Sequence, residues 1–328
     1  MKKFIYSLPT LLTFLFFVLA CTDHDSFVPE PEFLSSEPFV SGLKSPVGIA
    51  LDDKGNIWVT EAGTGSNNDD ASIAMITPSG TKTIFVAGLR SITNQGSTEG
   101  IGHLLYRDGK LYFLHGVNGM LYVADVSSFK AGDKPVNIAD IPSQDVATYI
   151  KSLALAKPVN SNAFDLVFGP DDHLFIVDAG SNAIFKRDKK TGEISLFTHF
   201  PEASAGVDAV PTGIVYDGAK FFVTTLTGFP FTPGDAKIYT VDQAGAYSEY
   251  KKGFTTLSGI VLSANNKPLV LQHGIFGKGF EAKSGKVLDE KGNTIFNSIS
   301  QPTDIVRAAD KMYYLLSYKD GTIVKLSY

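Results

Sequence analysis

Six polar residues close six short apolar runs at one register: Glu61, His115, Asp178, Thr225, Gln272 and Ser317. Counting from a glycine or aspartate anchor gives 48 to 61, 102 to 115, 165 to 178, 259 to 272 and 304 to 317, a step of 13 each time. One further unit, 213 to 225, is a residue shorter in its turn. Polar groups repeated at one level of a repeating structure gather at one rim. Glu61, Asp178 and His115 are types that ligate divalent cations and activate a bound water. The carboxylates Glu61 and Asp178 make calcium or a similar ion the cofactor such a rim would take. The same positions have a plainer use, because a polar side chain at a strand end accepts hydrogen bonds from turn N–H groups and fixes the turn.

Five more residues lie near the same level. Asp165 and Asp304 stand where other units have the anchor glycine and are expected to point toward a shared opening, or to cap a neighbouring loop. Glu99 and His103 lie close in sequence at the start of the second unit, and His273 follows Gln272. The sequence holds no HExxH, GxSxG, P-loop or cysteine pair, which sets aside the common zinc-protease, serine-hydrolase and nucleotide-binding chemistries. Asn67-Asn68-Asp69-Asp70 offers oxygen ligands without EF-hand spacing, and Thr64 to Asp70 reads as a solvated loop.

What positions these residues is a repeated hairpin. Gly48-Ile49-Ala50-Leu51 is a buried-strand run, Asp52 to Asn56 supplies turn chemistry, and Ile57-Trp58-Val59-Thr60 is β-branched and aromatic. Echoes start at 102, 165, 213, 259 and 304, spacings that mean stacked units. A third strand, Ser72 to Thr77, and a fourth around Thr83 to Leu89 complete the first unit, whereas the last unit stops after Thr322 to Ser327. Pro38 to Leu43 resembles the fourth strand and supplies the missing one. A ring closed by its N-terminal strand leaves few free edges, so the chain is expected to be all-β, a six-bladed β-propeller of NHL or TolB kind over residues 38–328. Within the insertion Lys130 to Asn162, apolar residues at 146, 149, 150 and 153 predict a short helix lying over one face of the ring.

The chain carries a net charge of −5 with its basic residues scattered, which gives no footprint for nucleic acid. Residues 1–20 read as an export signal with Lys2-Lys3 ahead of an apolar run, and Val18-Leu19-Ala20-Cys21 resembles a bacterial lipobox. Cys21, the only cysteine, is then the lipidation site. The membrane is a partner through that lipid, and the location is the cell envelope, in the periplasm or at the outer membrane. Residues 21–37 are polar and proline-containing and read as a flexible tether.

Several stretches resemble the ScyD/ScyE family of exported NHL-like propellers: Gly42 to Ile49, Glu61 to Gly65, Asn162 to Asp165 with Val177 to Asn182, Ala209 to Gly213, and above all Leu226 to Gly234. The resemblance covers residues 38–328 and implies the propeller fold and export without supplying a reaction or catalytic residues. Two functional classes follow. One is a binding module holding a protein or small-molecule ligand on its rim. The other is a metal-dependent hydrolase or lactonase similar to gluconolactonase and paraoxonase propellers, which gather Glu, Asn and Asp around an ion; Glu61 and Asp178 fit that set, while strand-end asparagines are missing.

Overall fold

Short β-branched and aromatic runs separated by Asp-, Asn- and Gly-bearing turns fold here into antiparallel hairpins, and each hairpin grows into one sheet. The computed structural model describes residues 1, 28–94 and 96–328; residues 2–20 of the expected export signal, and Cys21, lie outside the described residues. Six sheets form, five of four strands and a first of five. In every one the first strand of the repeat is innermost and the second, ending in the polar residue, lies beside it. The architecture is a six-bladed β-propeller.

Closure occurs as the repeat requires. Ser35–Ser41 pairs antiparallel with Thr322–Ser327 and becomes the outer strand of blade six. The strand starts three residues earlier than the sequence indicates, because Leu34 is fully buried among Ile295, Leu326 and other core residues of blades five and six. Its N–H donates to the carbonyl of Ile295 at 2.8 Å. Further back, Ser263 Oγ donates to Glu30 Oε1 at 3.0 Å. The described part of the 21–37 segment is therefore docked on blade five rather than a free tether.

Adjacent innermost strands run so close that a side chain has no room at most anchor positions. A Cβ on Gly48 would lie 2.7 Å from the Cα of His103, and one on Gly259 would lie 2.9 Å from the carbonyl oxygen of Thr303. Hydroxyls one residue before three of the anchors hook blades four, five and six to the blade that follows. Thr212 Oγ1 donates to Leu257 O at 2.8 Å, Ser258 Oγ to Pro302 O at 2.7 Å, and Thr303 Oγ1 to Pro46 O at 3.0 Å. At the other end of the repeat, the N–H just past each second strand donates to the loop that leads into its own blade, as Ala62 does to Ser45, Leu226 to Val210 and Tyr318 to Gln301.

Apolar residues fill the spaces between blades. Trp58 meets Phe85 edge-on at 5.4 Å in the blade one and two core, and Phe175, Phe197 and Phe221 do the same between blades three and four. The expected helix is Ala147–Ser152, and its Ile150, with Val146 before it, is buried in the core that blades two and three share. The same insertion contributes Ser143–Asp145, the outer strand of blade two, which the sequence pattern does not reveal. Asn68, Asp69 and Asp70 also correct the sequence reading, since they open the strand Asn68–Ile76 instead of lying in a loop.

Candidate functional site

The six strand-end residues stand where the register puts them, and each is engaged close to home, His115 through Nδ1 alone with its Nε2 buried and unpartnered. Glu61 is buried, takes the Lys44 N–H on Oε2 at 2.7 Å and lies 2.5 Å from Lys82 Nζ through Oε1. Asp178 accepts from Ser161 Oγ and from the Ser181 N–H, both at 2.7 Å. Burial pushes its carboxyl upward against the pull of these donors. His115 accepts the Asn118 N–H on Nδ1 at 3.2 Å, and burial lowers its pKa. Thr225 Oγ1 accepts from the Lys237 N–H at 3.0 Å, Gln272 Nε2 donates to Ser284 O at 3.1 Å, and Ser317 Oγ donates to Ser300 O at 2.7 Å. Every partner belongs to the same blade or to the loop that leads into it.

That arrangement does not fit a divalent ion. Calcium needs several oxygens aimed at one point, whereas Glu61 is neutralised by Lys82 and both oxygens of Asp178 are held by Ser161 and Ser181. Among the described residues no three His, Cys, Asp or Glu side chains are placed to share an ion. In this geometry Glu61 and Asp178 serve as two separate turn anchors.

Three of the secondary residues do come together, on the propeller axis. Asp304 Oδ2 accepts the Ile49 N–H of blade one at 2.8 Å, and Asp165 Oδ2 accepts the Ile214 N–H of blade four at 2.9 Å. Each carboxylate also takes the next N–H of its own strand, Ile305 or Leu166. His103 of blade two is buried, with Nδ1 at 2.9 Å from Phe164 O and Nε2 at 3.8 Å from Asp304 Oδ2. The cap reading of the two aspartates holds, with the neighbouring blade's strand as the thing capped.

Electrostatics binds the three into one group. Burial raises Asp304 to about 7, with the Asp165 charge adding to the rise and His103 and the backbone donors opposing it. Asp165 is raised by burial in the same way. For His103 burial works downward, but the carboxylates of Asp165 and Asp304 and the carbonyls of Phe164 and Thr303 outweigh it and its pKa rises. The cluster therefore holds protons near neutral pH that free side chains of these types would release. A buried acid and base of this kind can exchange a proton between them.

Glu99 and His273 lie elsewhere. Glu99 sits on the hairpin Ser97–Glu99 that extends blade one, facing Asn94 Nδ2 at 3.2 Å, and burial raises its pKa. The Thr98 N–H of that hairpin donates to Tyr318 OH at 2.9 Å, so blade one reaches across to blade six. His273 donates through Nδ1 to Pro302 O at 3.1 Å and meets Phe280 edge-on at 4.6 Å; burial pulls it down to about 4.

One feature escapes sequence reasoning by chemistry. The loops after the second strands of blades four and five bring Phe229, Phe231, Phe276 and Phe280 together, with ring centroids 4.9 to 6.1 Å apart. Phe229 is 71% exposed and Ile275 40% exposed. Two consecutive aromatic-and-proline turns, Gly228 to Pro233, carry a signal in the sequence, but only as a likeness.

No protein-family model and no curated protein matches the chain. Solved structures resemble it over 90% of its length. One is a streptogramin B lyase, at 16% identity and a TM-score of 0.55 over 97% of that chain. A candidate gluconolactonase aligns at 10% identity and 0.57 over 93% of its chain. The PQQ-bound aldose sugar dehydrogenase of Streptomyces coelicolor aligns at 14% and 0.57 over 99%. Likeness at such identities shows the shared propeller fold and leaves the chemistry to the residues of this chain.

Proposed function

We propose that this chain is a lipid-anchored, extracytoplasmic propeller of the ScyD/ScyE kind, a binding module that holds a protein or small-molecule ligand on its rim and does not transform it. The observation that carries this reading is that the strand-end polar groups are already engaged. Glu61 is paired with Lys82, and Asp178 with Ser161 and Ser181. A hydrolase needs such groups free to hold an ion or a water. The same engagement counts against a metal-dependent hydrolase or lactonase. The anchor is Cys21 in the lipobox-like Val18-Leu19-Ala20-Cys21, and the membrane is reached through its acyl chains.

Two assays test the proposal. Cys21→Ser is expected to abolish incorporation of labelled palmitate into the protein and to leave the apolar run 4–20 attached; labelling equal to that of the wild type would remove the lipid anchor. Purified protein is expected to leave aliphatic lactones intact with and without calcium. Calcium-dependent opening of the lactone ring, abolished in Glu61→Gln/Asp178→Asn, would replace the binding module with the hydrolase.

A further inference from the structure

The aromatic cluster of blades four and five does not stand alone. Residues 251–286 carry six lysines and one acid, a local +5 in a chain of net −5. Six of the 29 basic residues of the chain therefore fall within this stretch, nearly unopposed by acids. Lys278 and Lys283 share the blade five loop with Ile275 and Phe276. Lys252, Lys286 and Lys291 line a groove of about 260 Å³ between the outer strand of blade four and blade five. Of these five, only Lys252 has a carboxylate partner among the described residues, Glu249 at 3.5 Å. Exposed aromatic and aliphatic tips flanked by lysines suit the headgroup layer of an anionic bilayer, where the rings sink among the acyl boundaries and the ammonium groups meet phosphates.

The described N-terminal segment docks on blade five at its other end, by the turn between Leu257–Leu262 and Pro268–Gln272 and not by the loop that carries Ile275. Asn265 Nδ2 donates to Val28 O at 2.8 Å, Ser263 bonds Glu30, and Leu34 pairs with Ile295, all on blade five. From Cys21 to Val28 the backbone spans at most roughly 25 Å, at about 3.5 Å per residue. That reach exceeds the rise of Pro268–Gln272, about 17 Å, so a lipid on Cys21 does not keep the Ile275 end of blade five from the bilayer.

We propose that the sector formed by blades four and five is a membrane-seating surface: Phe229 and Ile275 enter the headgroup layer of an anionic lipid bilayer while Lys278, Lys283 and Lys286 pair with its phosphates. The proposal rests on the aromatic tips and the lysines and not on the Cys21 anchor.

The test uses the full chain with Cys21→Ser and one new cysteine bearing an environment-sensitive NBD dye, either Phe229→Cys or, on blade two, Asp108→Cys. Because the apolar run 4–20 is retained, attachment to vesicles is not the readout; dye environment is. With phosphatidylcholine vesicles containing phosphatidylglycerol, dye emission at 229 is expected to rise about threefold or more, with little change at 108. Changing Lys278, Lys283 and Lys286 to Glu is expected to abolish the rise, with the melting curve confirming the fold. Equal responses at 229 and 108, no response at 229, or a rise unaffected by the lysine changes would overturn the proposal. So would a response at 229 to a single-stranded oligonucleotide but not to vesicles. Since Cys21 is absent throughout, failure here leaves the lipid anchor standing, and failure of the palmitate-labelling assay leaves this surface standing.

Discussion

The strand-end ring and the axial cluster contain the same residue types and use them in opposite directions. Glu61, Asp178 and Ser317 bond within their own blade or the loop that introduces it. Asp165, Asp304 and His103 bond outward, to the next blade or across the axis. The difference follows from place. A strand end beside a turn is rich in unpaired N–H groups of its own blade, while an innermost strand faces only other innermost strands. Position in the blade, more than chemical type, decides whether a carboxylate builds a blade or joins two.

Breaking the joining class is expected to have the largest effect. Asp304→Ala removes the acceptor of the Ile49 N–H at the blade six to blade one seam and leaves His103 without its neighbour. It should cost roughly 3 kcal/mol, the range for removing one partner of a buried charged pair. Denaturant unfolding measures this, and a loss no larger than that of a ring residue would erase the distinction.

The joining class should also carry a pH signature. His103, Asp165 and Asp304 all have raised pKa values in the fold. Between the free-carboxylate range and about 7 the folded chain therefore binds more protons than the unfolded chain, and their contribution to stability falls as pH rises through that window. Asp304→Asn removes that share and weakens the pull on His103. Its melting temperature should fall less between pH 5 and pH 8 than that of the wild type; parallel curves would contradict the coupling.

How much of this is legible in sequence follows the same division. The hairpins, their register and the N-terminal closure are local and periodic, and alternation of apolar runs with Asp-Gly turns displays them. Partners are not periodic. Register places Glu61 and Asp178 at one level, but the salt bridge from Lys82 depends on the pairing of two outer strands. Asp165 and Asp304 stand out only as exceptions to glycine, and their acceptor role depends on the N–H of a strand 49 or 255 residues away. Leu34, beside the exposed Phe33 in a largely polar segment, does not read as core because the residues that bury it belong to blades five and six.

His273 gives a smaller effect of opposite sign. Its pKa is held down to about 4 by burial, so its contribution is intact above about 6.5 and is lost as the pH falls toward 4. His273→Asn should reduce the acid sensitivity of the fold across that window by on the order of 2 kcal/mol, read from urea unfolding at pH 4.5 and 7. An unchanged acid limb would show that the ring is not held neutral. The smallest effect belongs to the ring: Thr225→Val deletes one hydroxyl that caps the Lys237 N–H and should cost about 1 kcal/mol. A loss equal to that of Asp304→Ala would place ring and axis in one class.

The central claim is that Glu61 and Asp178 serve turns and not an ion, and the most direct measurement is the melting temperature of the purified protein with chelator, with added calcium and with neither. Superimposable curves are expected, with Glu61→Gln/Asp178→Asn melting lower by the same amount in all three conditions. A fall on chelation that calcium restores, and that the double variant no longer shows, would contradict it.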